Sequence, residues 1–162
     1  MDNIFKLHDE LANKEYQHGS YHAFKINDPK PRDIHKANVC DRIVHHAIYR
    51  ILYPYFDSKF IYDSYSCRID KGTHRAINRF RNMARKVSRN NTKSAWVLKG
   101  DIQKFFTTIN HQILKAILGR HIEDKNILLL LNEVIDSFHT ENRLNVGLPL
   151  GNVTSQLLIT SI

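Results

Sequence analysis

The sequence predicts an α+β fold rich in helix, and three observations carry that expectation. Apolar residues recur at steps of three and four over most of the longer segments, the period of an amphipathic helix. A few short runs instead alternate in character or are rich in β-favouring residues. A hydrophobic content of 42% in 162 residues, with six glycines and four prolines, is enough for the core of one domain, or of one domain and a piece of another.

Charge narrows the choice of partner. Lys and Arg number 24 against 16 Asp and Glu, a formal net charge of +8, which points to a polyanion, an ordinary basic soluble protein being the alternative. Cys40 and Cys67 stand far apart, so neither a disulfide framework nor a zinc ribbon is suggested, and free thiols fit a reducing, cytoplasmic setting. The ten histidines are scattered, and His45 and His46 are adjacent rather than one helical turn apart as metal ligands would be. The longest aliphatic run, Ile127 to Leu131, is too short to cross a bilayer. Residues 1–16 mix both charges and lack an apolar secretory core, so neither a targeting segment nor a membrane partner is expected.

Taken in order, residues 3–13 place Ile4, Leu7, His8 and Leu11 at helical spacing behind Asp2 as a possible cap. Tyr21 to Ile26 alternates as a strand, Asp28-Pro29-Lys30-Pro31 is turn chemistry, and Arg32 to Lys36 is a second short strand. A hairpin with Lys30 and Arg32 at its tip results. Val39, Ile43, Val44, Ala47, Ile48, Ile51 and Leu52 form the apolar stripe of a helix with Asp41 in its first turn, where negative charge suits the dipole, and Pro54 at its end. His45, His46 and Arg50 are read there as solvated or packing residues. Phe56 to Arg68 is aromatic and irregular. A helix from His74 to Ser88, with Thr73 as cap, places Ala76, Phe80, Met83, Ala84 and Val87 on a core face beside a basic face of Arg75, Arg79, Lys86 and Arg89. Arg89 to Lys93 is a loop. Trp96 to Leu98 is expected as a strand, and helices are expected over His111 to Leu118 and Asn126 to Phe138, the latter with Leu129, Leu130, Val134 and Phe138 in the core. Thr140 to Asn145 is a hairpin or loop, and a helix begins after Asn152.

The run W-V-L-K-G-D-I-Q-K-F-F-T-T-I-N-H, from Trp96 to His111, organises the rest. A short apolar strand that releases the chain into a lone acid, Asp101, projects a carboxylate into whatever cleft the sheet borders, although a lone Asp there is more often a turn or cap residue. D-x-x-x-x-F, ending at Phe106, resembles motif A of reverse transcriptases. Downstream, G-L-P-L-G-N-V-T-S-Q, from Gly147 to Gln156, resembles their motif B. Its glycines are needed where the backbone adopts positive φ or passes close to another group. K-P-R-D-I-H-K-A-N-V-C-D-R-I-V-H-H-A-I, from Lys30 to Ile48, is similar to the fingers segment of bacterial retroelement reverse transcriptases. S-Y-S-C-R-I-D-K-G-T-H-R-A, from Ser64 to Ala76, resembles the template-side block of group II intron enzymes, with Ser66-Cys67 where those enzymes usually have Gly-Phe.

The resemblance implies an N-terminal arm and fingers over residues 1–94 and an incomplete palm over 95–162. It implies Asp101 as the catalytic carboxylate and, with the backbone carbonyl of Ile102, as a ligand of Mg²⁺, two ions being expected in a complete enzyme. Hard oxygen donors of this kind suit that ion. It further implies that Lys30 and Arg32 reach the incoming nucleotide, that Phe106 excludes a ribose 2′ hydroxyl, and that Leu150 and Gly151 lie beneath the nascent base pair. Arg68, Lys71, Arg75, Arg79, Pro149 and Asn152 would line the template. Leu150 stands where retroviral and intron enzymes commonly carry Gln, which is most similar to the reverse transcriptases of diversity-generating retroelements. The implied partners are an RNA template, a DNA or RNA primer and deoxynucleoside triphosphates. Members of the family carry a Y-x-D-D hairpin after motif B, and no Asp-Asp pair occurs here, so the chain is expected to be inactive by itself. A non-catalytic RNA-binding module and an untemplated, defence-associated relative are the alternatives.

Overall fold

A computed structural model of the chain describes residues 2–27, 30–140 and 143–160. The element order is α1 (Asp2–Ala12), β1 (His22–Ile26), β2 (Arg32–Lys36), α2 (Val39–Asp57), α3 (Thr73–Val87), α4 (Phe105–Thr108), α5 (His111–His121), α6 (Lys125–Asp136) and α7 (Val153–Thr160). The architecture is therefore helix-rich α+β with one small antiparallel sheet, in which Ile26 faces Arg32 and His22 faces Lys36. The turn expected at Asp28-Pro29 and the capping side chain of Asp2 lie outside the described residues. Among the described residues no helix is long and apolar enough to cross a membrane.

Three helices start on side-chain caps. The Asn38 carboxamide accepts from the Asp41 amide, Asn110 from Ile113, and Asp124 from both Asn126 and Ile127. Each cap satisfies amides that the first helical turn leaves without a carbonyl, a contribution of about 1 kcal/mol apiece. α2 then packs along α7 and α5 along α6. Val44, Ile48, Leu52, Phe56, Leu114, Leu118, Leu131, Ile135, Leu157 and Leu158 fill the space between them. Full burial of such side chains stabilises by roughly 1.5–3 kcal/mol each.

Four expectations are corrected. First, α2 does not stop at Pro54 but continues to Asp57. Pro54 sits on the exposed side, so the peptide hydrogen bond it forfeits faces water, while Leu52, Tyr53 and Phe56 stay buried on the other side and hold the last turn. Second, only part of the α2 stripe is core: Val39, Ile43 and Ile51 are exposed, because its neighbours α7 and α1 cover a narrower arc than the apolar residues span. In α6 the buried face is Leu131, Val134 and Ile135, and Leu129 points outward.

Third, no residue of α3 is buried, and Phe80, Met83 and Val87 lie open. Periodicity specifies a face; a second surface has to be present to cover it. Fourth, Trp96 to Leu98 forms no strand, and the Trp96 ring is 98% exposed. A strand is completed by a neighbour's amides and carbonyls. Among the described residues the only ladder is the β1–β2 hairpin, and nothing pairs with 94–100.

Candidate active site

The bend at 147–151 is a junction. Gly147 has a φ of +104°, and a Cβ there would stand 2.1 Å from the Thr140 hydroxyl oxygen, so both conformation and space call for glycine. Its amide donates to the Ile109 carbonyl at 2.8 Å, and the Leu148 amide donates to the Phe106 carbonyl at 2.8 Å. The His111 amide donates to the Asn145 carbonyl at 3.0 Å. The buried His111 ring donates through Nε2 to the Gly147 carbonyl at 2.6 Å, and its Nδ1 lies 3.6 Å from Asp136. The segment after Asp101 is thus laced to the segment ahead of α7.

The hairpin meets the same bend from the other side. The His35 amide of β2 donates to the Leu150 carbonyl at 3.1 Å. Gly151, at a φ of +112°, lets Ile34 approach so closely that a Cβ would lie 3.1 Å from its methyl group. The loop between α2 and α3 is tied on as well, because Cys67 Sγ donates to Gln156 Oε1 of α7 at 3.1 Å. The sequence assigns Ile34, His35 and Cys67 no role of their own; the His35 backbone bond and the side-chain contacts of Ile34 and Cys67 reveal them.

Behind the bend lies a buried polar chain. Asp41 accepts from the Tyr16 hydroxyl at 2.8 Å and from the Gly19 amide at 3.1 Å. His18 Nδ1 faces the Gly19 carbonyl at 2.7 Å, and its Nε2 lies 3.0 Å from His45 Nε2. His45 Nδ1 in turn meets the Thr154 hydroxyl of α7 at 2.5 Å. With both rings neutral every donor finds an acceptor: Thr154 donates to His45, His45 to His18, and His18 to Gly19. Burial, reinforced by the neighbouring His18, pushes the His45 pKa down to about 4. Burial and the Asp41 carboxylate push the Tyr16 hydroxyl up. The chain orients α7 and therefore the bend.

The residues singled out in the sequence are distributed as follows. Asp101 and Ile102 are exposed on the irregular stretch leading into α4, and Asp101 makes no hydrogen bond or ion pair among the described residues. Phe106 is half-buried against the core, with Phe105 edge-on to it. Lys30 and Arg32 are exposed at the hairpin's end, next to a Lys25–Asp33 pair at 3.9 Å. Leu150 is half-buried, and Pro149 is buried in the bend. Asn152 is buried at the start of α7, its Nδ2 lacking a protein partner among the described residues.

On the loop side, Arg68 faces inward. Its guanidinium donates to Asp57 Oδ1 at 2.7 Å and to the carbonyls of Asp57, Ile61 and Ser64. That pairing holds the Asp57 carboxyl below the usual carboxylate range. Arg79 holds Asp63 through two bonds of 2.9 and 3.1 Å, and Asp63 is lowered likewise. Lys71 donates to the Tyr62 carbonyl, and Arg75 is exposed.

Among the described residues no three His, Cys, Asp or Glu side chains converge in the manner of a metal cage. The donor chemistry at 101–102 nevertheless fits Mg²⁺ in kind. One accessible carboxylate and one backbone carbonyl are hard oxygens, and this ion is usually held by one or two carboxylates with water and substrate phosphates completing the octahedron.

Residues 25–162 match the family model described as reverse transcriptase (RNA-dependent DNA polymerase). The chain belongs to the reverse transcriptase family. Among similar proteins, Protein YkfC of Escherichia coli is 30% identical over 94% of this chain and 41% of its own length. A COX1/OXI3 intron 1 protein of Saccharomyces cerevisiae is 29% identical over 94% of this chain and 18% of its own. The group II intron-encoded protein LtrA of Lactococcus lactis is 24% identical over 83% of this chain and 22% of its own. The chain thus spans less than half the length of these relatives.

Proposed function

We propose that the chain is the N-terminal arm and fingers, residues 1–94, and the first part of the palm, residues 95–162, of an RNA-directed DNA polymerase of a retroelement. The observation that carries the reading is the junction at 147–156, to which the basic hairpin (His35 to Leu150), the template-side loop (Cys67 to Gln156) and the stretch after Asp101 (Phe106 to Leu148) are all hydrogen-bonded. Templated polymerisation needs cations, template groove and acid around one bend, and family membership supplies the reaction class.

In this reading Asp101 and the Ile102 carbonyl hold Mg²⁺, which when bound supplies charge stabilisation for displacement at phosphorus. Lys30 and Arg32 bind the triphosphate, Arg as a bidentate fork and Lys as a point charge. The Phe106 ring excludes a 2′ oxygen by its bulk. Leu150 and Gly151 support the nascent pair. Lys71, Arg75 and Arg79 face the template backbone, with Pro149 and Asn152 beside it, while Arg68 fixes the loop that carries Lys71. The polymerase takes an RNA template, a DNA or RNA primer and deoxynucleoside triphosphates.

Asp101→Ala tests it. The exposed side chain can be removed without loss of folding, so RNA binding by the variant is expected to stay within about twofold of the parent. Deoxynucleotide incorporation by any active polypeptide carrying the segment is expected to fall to background. Incorporation that survives the substitution overturns the polymerase reading. With no Asp-Asp pair among its residues, the chain alone is expected to bind RNA without extending a primer, and measurable extension with Mg²⁺ would refute that part.

A further inference from the structure

Aromatic surface is concentrated on the loop between α2 and α3, and one ring there is left open. Tyr62 is 71% exposed. The backbone beneath it is nonetheless pinned: Arg68 holds the carbonyls of Ile61 and Ser64, Lys71 donates to the Tyr62 carbonyl at 2.7 Å, and the neighbouring Asp63 is gripped by Arg79 and by the Tyr65 hydroxyl at 3.0 Å. Two cations attend the ring itself. Lys71 Nζ lies 4.0 Å from its centroid and the Arg79 guanidinium carbon 5.5 Å. Asp63, the acid in direct contact with Arg79, occupies two of that guanidinium's five donors, leaving the others for an incoming anion.

Lys71 and Arg79 sit over the ring, and with 71% of Tyr62 still open to solvent the remaining ring surface matches what an unpaired nucleotide offers, a flat π-face next to a phosphate. A ring already fixed by its own loop loses little freedom when a base settles on it. We propose that Tyr62 is a stacking platform for one unpaired base of a single-stranded RNA, with Lys71 and Arg79 receiving the adjoining phosphates. The inference rests on the template reading above and adds to it the residue that grips a base. Stacking of this kind tolerates any base identity, because every base presents a π-face.

The test measures binding of the 162-residue chain to two strands of about twelve residues, oligouridylate and an abasic backbone of equal charge. The parent is expected to prefer the base-bearing strand. Tyr62→Leu should lower that preference about tenfold and leave abasic affinity and salt dependence in place, whereas Tyr62→Phe and Tyr62→Trp should retain it. Equal losses on both strands would mean that the ring only seats Lys71, and would overturn the proposal. So would an unchanged Tyr62→Leu variant that folds with the parent's circular dichroism. A parent chain that binds neither strand removes the template reading itself, an outcome distinct from failure of Tyr62 alone.

Discussion

At the scale of single residues, the clearest lesson is the route from Tyr16 through Asp41, His18 and His45 to Thr154. Asp41 suits the start of α2 on charge grounds, but its deep burial and its partners from the 16–19 segment could not be read from spacing. Spacing leaves His45 as a solvated or a packing residue, and the structure buries it as a member of a hydrogen-bond relay. A sign follows for acid stability. In the unfolded chain His45 takes up its proton near an ordinary value of about 6.5, whereas in the folded chain it does so near 4. Between these values the unfolded state binds the additional proton, so stability is fully present above the upper value and is lost as pH falls toward the lower one. The slope is about 1.4 kcal/mol per pH unit. Urea unfolding across this window is expected to show the loss, and His45→Gln to flatten it whatever its effect at neutral pH.

At the scale of elements, periodicity located the helices well and their partners poorly. The hairpin strands, α3 and α6 lie within a residue or two of their expected spans. The face that each helix buries is another matter, since α6 buries Leu131 and Ile135 whereas α3 buries nothing. Local stability should follow burial. Amide exchange is expected to be slow in α2, α5 and α6 and orders of magnitude faster in α3, whose opening exposes no core. Ile135→Ala should cost roughly 2–5 kcal/mol of global stability in denaturant, and Met83→Ala less than about 0.5 kcal/mol. Protection in α3 equal to that in α6 would mean that its apolar face is covered in solution.

At the scale of the whole molecule, the net charge of +8 is arranged so that Arg75 of α3 and the hairpin-end residues Lys30 and Arg32 stand exposed without carboxylate partners among the described residues. Other cations are internally engaged, Arg68 with Asp57 above all. Affinity for single-stranded RNA should fall with salt by about 0.7 log unit per log unit of salt for each phosphate contact. Lys71→Ala and Arg75→Ala are each expected to flatten that dependence by about this amount. Titrations at several salt concentrations check it, and unchanged slopes in both variants would place the RNA elsewhere on the surface.

The sequence by itself pointed to the family, through the resemblance of D-x-x-x-x-F and G-L-P-L-G, in that order, to motifs A and B of reverse transcriptases, and it determined where most helices begin, because caps and period are local properties. Tertiary structure alone decided which faces are buried, that Trp96 to Leu98 stays unpaired, and that the hairpin, the α2–α3 loop and the stretch after Asp101 converge on one bend. Those outcomes depend on hydrogen bonds and contacts between residues far apart in the chain, such as His35 with Leu150 and Cys67 with Gln156. A hydrogen bond needs its second partner in place, and spacing along one strand of sequence does not say which partner arrives.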